Sequence, residues 1–227
     1  MAKDEPVTTE STSPPPTLER QPQPVESTLG RWANRLVIGI ARHWLALFNL
    51  AWGVYIFLPF LAPALMAVGL EGPARLIYTV YSFACHQLPD HSYFFPAQNL
   101  APAQADLIAA GMESTNNLFV QRRFIGNEGI GYKVAICQRD VAIYGSVFVA
   151  GLIYGLVRHR IRGISFKLYL ILLIPLAVDG LTQMVGLRES NWWLRTLTGM
   201  LFGVASVWLI YPYVDDAMAD VLETELR

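Results

Sequence analysis

Charge is the first thing this chain is short of. Only 15% of its 227 residues are Asp, Glu, Lys or Arg, against about 25% in a soluble domain. The formal net charge of -1 leaves no basic field over the chain, so nucleic acid is not an expected partner. Cysteine is scarce too: Cys85 and Cys137 are the whole supply, which excludes a disulfide-dense scaffold. There is no phosphate-binding glycine loop, nucleophile elbow, HExxH motif or internal repeat, and so no ready-made catalytic signature. Apolar surface is abundant instead. Hydrophobic residues make up 53% of the chain, the mean hydropathy is +0.35, and several runs reach the roughly 17–25 residues needed to cross a bilayer. Six Trp, ten Tyr and eleven Phe suit its interfaces. The composition is that of a multi-pass protein of the cell membrane.

Residues 1–30 are a different material. Pro6, Pro14, Pro15, Pro16, Pro22 and Pro24 stand among Ser, Thr, Glu and Gln, a mixture that cannot offset its ordering entropy and is expected to stay disordered. Asp4, Glu5 and Glu10 occupy the place where a signal peptide would be basic, so a retained tail is expected. In residues 31–44, Trp32, Leu36 and Ile40 recur every four residues, with Arg31, Arg35 and Arg42 on the wetter side. That pattern suits a basic amphipathic helix in the headgroup region. It equally suits the wet first turns of the helix that follows, in which His43 and Trp44 are an interfacial anchor.

The membrane domain, residues 45–214, reads as an all-α membrane protein of about five transmembrane helices. The runs are Leu45–Leu70, kinked by Pro59 and Pro63; Pro73–Leu88; Val141–Val157; Ser165–Leu187; and Trp192–Val214. Pro73–Leu88 is barely long enough, so the alternative is four spans plus a re-entrant helix. Residues 90–136 form an extramembrane insertion, with a short helix at Ala103–Gly111. Strands at Leu118–Ile125 and Ile130–Ile136 are expected to make a hairpin across Gly126–Gly129. Gly151/Gly155 and Gly199/Gly203 carry the small-xxx-small spacing of close helix contacts. Residues 215–227 are an acidic tail, expected as a solvated helix. A cytoplasmic amino terminus gives a weak positive-inside bias in the five-span arrangement. With four spans, the polar motifs move to the outside.

Two polar constellations interrupt this apolar material. Cys85, His86, Cys137 and Asp140 offer two sulfurs, an imidazole and a carboxylate, a donor set suited to a divalent metal such as zinc, with His91 as an alternative ligand. A Cys85–Cys137 disulfide and a pair of buried thiols are the competing readings. Asp179 falls inside a spanning run, where an ionised carboxylate costs on the order of 2.5–3.5 kcal/mol and needs a partner. Thr182 and Gln183 share its helix face, and Arg188, Ser190, Asn191 and Arg195 follow closely. With Arg139 they define a ligand pocket at one membrane face, in which Asp179 is the catalytic candidate. The simplest account of Asp179 is an ion pair with Arg195 or Arg139 that fixes helix packing.

The blocks Cys85-His86-Gln87-Leu88-Pro89-Asp90-His91-Ser92 and Cys137-Gln138-Arg139-Asp140, then Asp179-Gly180-Leu181-Thr182-Gln183 and Arg188-Glu189-Ser190-Asn191, resemble the domain of unknown function 2085 family. The resemblance implies a small polytopic membrane protein and brings no activity with it. The family's pattern resembles C-H-x-x-P-x-R-S followed by C-x-R-C. Here His91 stands at the arginine position and Asp140 at the second cysteine, which weighs against an all-cysteine site. The leading expectation is a membrane protein whose polar pocket binds a metal or small ligand, with its status as an enzyme open. The alternative is a non-enzymatic accessory or assembly subunit, associated with other membrane subunits, whose polar residues lock helix packing.

Overall fold

The computed structural model describes residues 28–225; nearly all of the proline-rich 1–30 segment lies outside them. Seven helices and a small sheet follow one another in the order α1 (Thr28–Ala67), α2 (Glu71–Tyr81), β1 (Ser92–Phe95), α3 (Gln104–Ala109), α4 (Leu118–Gln121), β2 (Gly126–Asn127), β3 (Gly131–Cys137), α5 (Gln138–Val157), α6 (Phe166–Met184) and α7 (Trp192–Glu225). Among the described residues, four helices are long and apolar enough to cross a membrane: α1, α5, α6 and α7. That matches the four-span alternative among the described residues. At 1.5 Å per residue, the 11-residue α2 reaches only about 16 Å, half the hydrocarbon thickness. After Tyr81 the chain turns away instead of continuing to Leu88.

α1 bends at His43 (φ -115°, ψ 15°), between the arginine-rich first turns and the apolar run. Trp44 is not an interfacial anchor. It is buried, and its indole donates to Asp215 Oδ1 (3.1 Å), which also accepts from Arg158 (2.8 Å). One carboxylate of α7 thus ties the middle of α1 to the end of α5, and Asp215 is not simply solvated. The acidic segment continues as α7 through Glu225.

The contacts reveal how the spans run. Ile56 packs beside Gly145, Phe148 over Gly53 and Leu45 beside Gly155, so α1 and α5 are antiparallel. Ala142 faces Gly199, Ser146 faces Gly203 and Gly151 lies against Tyr211, so α5 and α7 run in the same direction. Parallel neighbours require an intervening crossing, which α6 supplies. The start of α5, the end of α6 and the start of α7 consequently meet at one membrane face, the face at which α1 ends.

The insertion covers that face with a three-stranded sheet of order β1-β3-β2. Its central strand is almost wholly buried, with Val134, Ala135 and Ile136 at 0% exposure over Tyr78, Tyr81 and Ile56. The expected hairpin is only partly formed. Leu118–Gln121 is a helical turn capped by the Asn117 side chain, which accepts from the Phe119 amide (2.9 Å). Only Gly126 and Asn127 pair with β3, whose other partner is β1. Asn117 is the N-cap signal that outweighed the strand propensity of Leu-Phe-Val.

Close approach of α5 and α7 depends on Gly203, where an added Cβ would overlap Ser146 Oγ and the Ile143 carbonyl. Gly203→Val is expected to destabilise the protein by about 1–3 kcal/mol, the usual cost of overpacking. Gly39→Ala, at an α1 position with nothing within 4 Å, is expected to be neutral or slightly stabilising. Thermal unfolding in detergent distinguishes the two; equal shifts would contradict this packing.

Candidate functional site

A cleft of about 890 Å³ opens at the common face, beside the end of β3; its wall includes Cys85, His86, His91, Cys137, Asp140 and Arg195. Chain pairing creates the first half of it. β1 and β3 place Ser92 opposite Cys137, which brings the segment after α2 back to the start of α5. Gln87 makes the return turn in the left-handed region (φ 53°), an uncommon conformation for a non-glycine residue. Its buried amide donates to the Tyr78 carbonyl (2.9 Å) and the Ala135 carbonyl (2.8 Å), which ties the turn to α2 and β3. Cys85 and His86 thereby arrive beside Cys137.

The ligand atoms of Cys85, His86 and Cys137 all lie within 4.8 Å of one another. A tetrahedral zinc site with bonds of about 2.0–2.3 Å has ligand–ligand edges near 3.5 Å, so small side-chain adjustments would close the group on an ion. Both cysteines are buried free thiols, and Cys85 Sγ accepts the Cys137 amide (3.2 Å). The thiol hydrogen bond with Cys85 and burial push the Cys137 thiol far above the ordinary cysteine value. His86 is exposed at its surface; desolvation by the surrounding protein lowers its pKa, with Arg195 and Arg139 adding to that effect and Asp140 opposing it, which favours the neutral imidazole that ligates metals. The Leu88 amide donates to His86 Nδ1 (3.1 Å), so ligation through either ring nitrogen would require that bond to be exchanged. Asp140 is on the same wall but outside this three-atom group.

His91 stands behind His86, ring centroids 5.6 Å apart. Burial, with Arg195, His86 and Arg139 nearby, pushes its pKa down to about 3. The Gln183 amide donates to His91 Nε2 (3.2 Å), leaving the ring proton on Nδ1. Asp90 Oδ2 lies 3.4 Å from the same nitrogen, and burial raises this carboxyl group. With the imidazole neutral, that contact is not an ion pair.

The second half of the cleft comes from α5, α6 and α7. Asp179 is 1% exposed and is the buried residue of α6. Arg139 Nη2 donates to its Oδ2 (2.6 Å) and Arg188 Nη2 to its Oδ1 (2.8 Å). Arg195 does not reach it. Arg139 also donates to Gln183 Oε1 (3.3 Å), and Arg188 Nε to Thr182 Oγ1 (3.1 Å). Asp179, Thr182 and Arg188 therefore stand behind the wall that Arg139, Gly180 and Gln183 form. Arg195, also buried, donates from Nη1 to Gln138 Oε1 (3.3 Å), while its Nε has no partner. Among the described residues it makes no ion pair, although Asp90 and Glu189 act on it from further away. Ser190 Oγ is buried without a partner and, with Asn191 and Arg195, lines an adjoining recess of about 240 Å³.

Sequence reasoning assigned no role to Gln87, Asp90, Gln138 or Glu189. Gln138 bridges the two halves, donating to the Ser92 carbonyl (3.1 Å) while accepting from Arg195. Its place between Cys137 and Arg139 in a polar block at the mouth of a spanning helix was the available signal.

The fold defines a helical protein with four candidate membrane spans and a polar cleft at one end, and the comparisons agree that it is a membrane protein. The profile of the DUF2085 family, described as predicted membrane proteins, matches residues 123–209. An uncharacterized protein of Methanocaldococcus jannaschii is 35% identical over 138 residues, 60% of this chain and 67% of that protein. A second, from Methanothermobacter thermautotrophicus, is 36% identical over 74 residues, 33% of this chain and 67% of that protein. The chain belongs to the DUF2085 family. No solved structure matches it. The family match covers Cys137, Asp140, Asp179 and Arg195 and stops short of Cys85 and His86.

Removing the Asp179 charge leaves Arg139 and Arg188 facing a neutral amide in a dry setting. Asp179→Asn is expected to cost about 3–5 kcal/mol. Arg188→Gln, whose side chain is 41% exposed, should cost under about 1 kcal/mol because solvent screens that arm. Unfolding measured in one detergent tests the order; equal costs would refute the asymmetric clamp.

Proposed function

We propose that this protein binds a transition-metal ion of the zinc class in the cleft through Cys85, His86 and Cys137, and uses it on a small ligand at the membrane surface. The convergence of those three ligand atoms within 4.8 Å carries the reading. Two thiolates and a neutral imidazole are soft and borderline donors, suited to zinc or copper over magnesium or calcium. Three protein ligands leave a fourth position for Asp140, for water or for a ligand, the arrangement of catalytic rather than closed structural sites. Such an ion would supply Lewis acidity or an activated water. Arg195 would face an anionic part of the ligand, and Asp179 would act as a positioning residue by holding Arg139 on the cleft wall.

Orientation belongs to the same proposal. The face where α1 starts gathers Arg31, Arg35, Arg42, Arg158, Arg160, Arg162 and Lys167. The opposite face carries Arg75, Arg122, Arg123, Lys133, Arg139, Arg188 and Arg195, of which Lys133 and Arg195 are buried and Arg139 and Arg188 are paired with Asp179. With buried and acid-paired cations set aside, the exposed basic residues favour a cytoplasmic first face and an outward cleft, and that orientation is part of the proposal.

A disulfide is the second reading, favoured by the same contact between Cys85 and Cys137 and by an outward-facing cleft. Protein purified without chelators and under reduction is expected to carry stoichiometric metal by elemental analysis, lost in Cys137→Ser and retained in Asp179→Asn protein that folds. Metal-free protein with two titratable thiols after reduction would remove the metal proposal. A Cys85–Cys137 cross-link found by peptide mass spectrometry in unreduced, metal-free protein would establish the disulfide.

A further inference from the structure

A second cavity, of about 580 Å³, lies between α2 and the segment from α4 to Ile125, and its charged groups are all basic where the first cleft mixes both signs. Arg75, Arg122, Arg123 and Lys133 contribute to its wall, and no carboxylate does. Lys133 is fully buried. Its ammonium donates to the carbonyls of Gln87 (2.9 Å) and Arg122 (2.5 Å), leaving one of its three N–H groups over. Among the described residues it has no carboxylate within ion-pair distance; burial, then Arg122, pushes its pKa down to about 7, with Cys85 the group that opposes this. Arg122 spends one nitrogen on the Ser82 carbonyl (3.1 Å). Arg123 is exposed and makes no ion pair among the described residues. Arg75 is already engaged with Glu71 on the helix surface (3.1 Å).

The rim of this cavity is apolar. Phe119 on its wall is 72% exposed, and Leu76, Val80 and Phe83, next in sequence to the lining residues Arg75, Thr79 and Ser82, are 65%, 55% and 89% exposed. Such a patch would be costly in water and is natural at a bilayer surface. α2 lies at that level because it is too short to cross and follows directly on the end of spanning α1.

We propose that this cavity binds the phosphate of an anionic membrane phospholipid. Cations without a counter-charge meet the phosphate oxygens, and the acyl chains lie along the exposed apolar side of α2. Arg122 and Arg123 present several N–H donors to one phosphate, the geometry in which guanidinium groups excel. Lys133 gains the negative neighbour that the protein itself does not provide. The site is separate from the thiol–imidazole cleft, so neither proposal depends on the other.

The full-length protein, purified in neutral detergent and placed in nanodiscs of phosphatidylcholine with phosphatidylglycerol, tests this by native mass spectrometry after mild delipidation. Wild type is expected to retain one phosphatidylglycerol in preference to phosphatidylcholine. Arg123→Gln, an exposed change that leaves the fold's contacts intact, should weaken retention roughly fivefold, the effect of one basic residue at an anionic surface. Arg122→Gln should weaken it at least as much. Retention of phosphatidylglycerol no better than phosphatidylcholine, equal retention by wild type and Arg123→Gln, or full displacement by inorganic phosphate at matched concentration would overturn the proposal.

Discussion

One carboxylate, that of Asp179, holds the polar half of this molecule together. α6 buries little else, and its remaining surface is largely exposed to where lipid would be. A helix in lipid gains no hydrophobic drive toward its neighbours, so a charge-assisted bond in a dry setting carries unusual weight in deciding where it sits. α6 packs along α7, and by engaging Arg139 of α5 and Arg188 beyond its own end, Asp179 links it to α5 as well and helps aim Gln183 at His91. Small residues do the corresponding work between α5 and α7, where Gly199 and Gly203 let two parallel helices come close.

The extramembrane sheet answers a different need. Two potential ligands stand after α2 and a third at the start of α5, about fifty residues later, and only β1–β3 pairing returns the chain between them. Because β3 is central and fully packed, the start of α5 inherits a rigid support, and Gln87 and Gln138 stitch the returning segment to it. The two cavities on this face differ in what surrounds their charges. In the cleft, arginines stand among Asp140, Asp90 and Glu189 beside thiols and imidazoles; in the other, cations stand without acids beside exposed aromatics. The same membrane face thus offers one environment suited to a soft metal and one suited to a lipid phosphate.

Much of this was legible in the residues. A low charge content and long apolar runs mark spanning helices, because a hydrocarbon core tolerates little else. A carboxylate among them announces a partner by its cost. The choice of partner was not legible: Arg139, Arg188 and Arg195 are chemically equal as a string, and which guanidinium reaches Asp179 depends on helix rotation. Arg188 lies nine residues away on the chain yet folds back across the helix end, while Arg195 turns to Gln138. The Leu118–Ile125 strand failed for a local reason, an N-cap at Asn117. The α2 span failed on length, since a run of sixteen apolar-leaning residues does not reveal that its last part is a left-handed turn.

Composition and hydrophobic pattern, on their own, determined that this chain lives in a membrane, roughly where its helices lie, and which few polar residues had to be accounted for. Those properties are local, set by the free energy of moving each stretch from water into lipid. Tertiary structure alone decided that α2 stops short and the chain turns back after it, that α5 and α7 run in parallel, that Cys85 and His86 meet Cys137, and that Lys133 is buried with no acid beside it among the described residues. Each of these depends on contacts between segments far apart in the chain, and pairing, rotation and depth are properties of the packed whole.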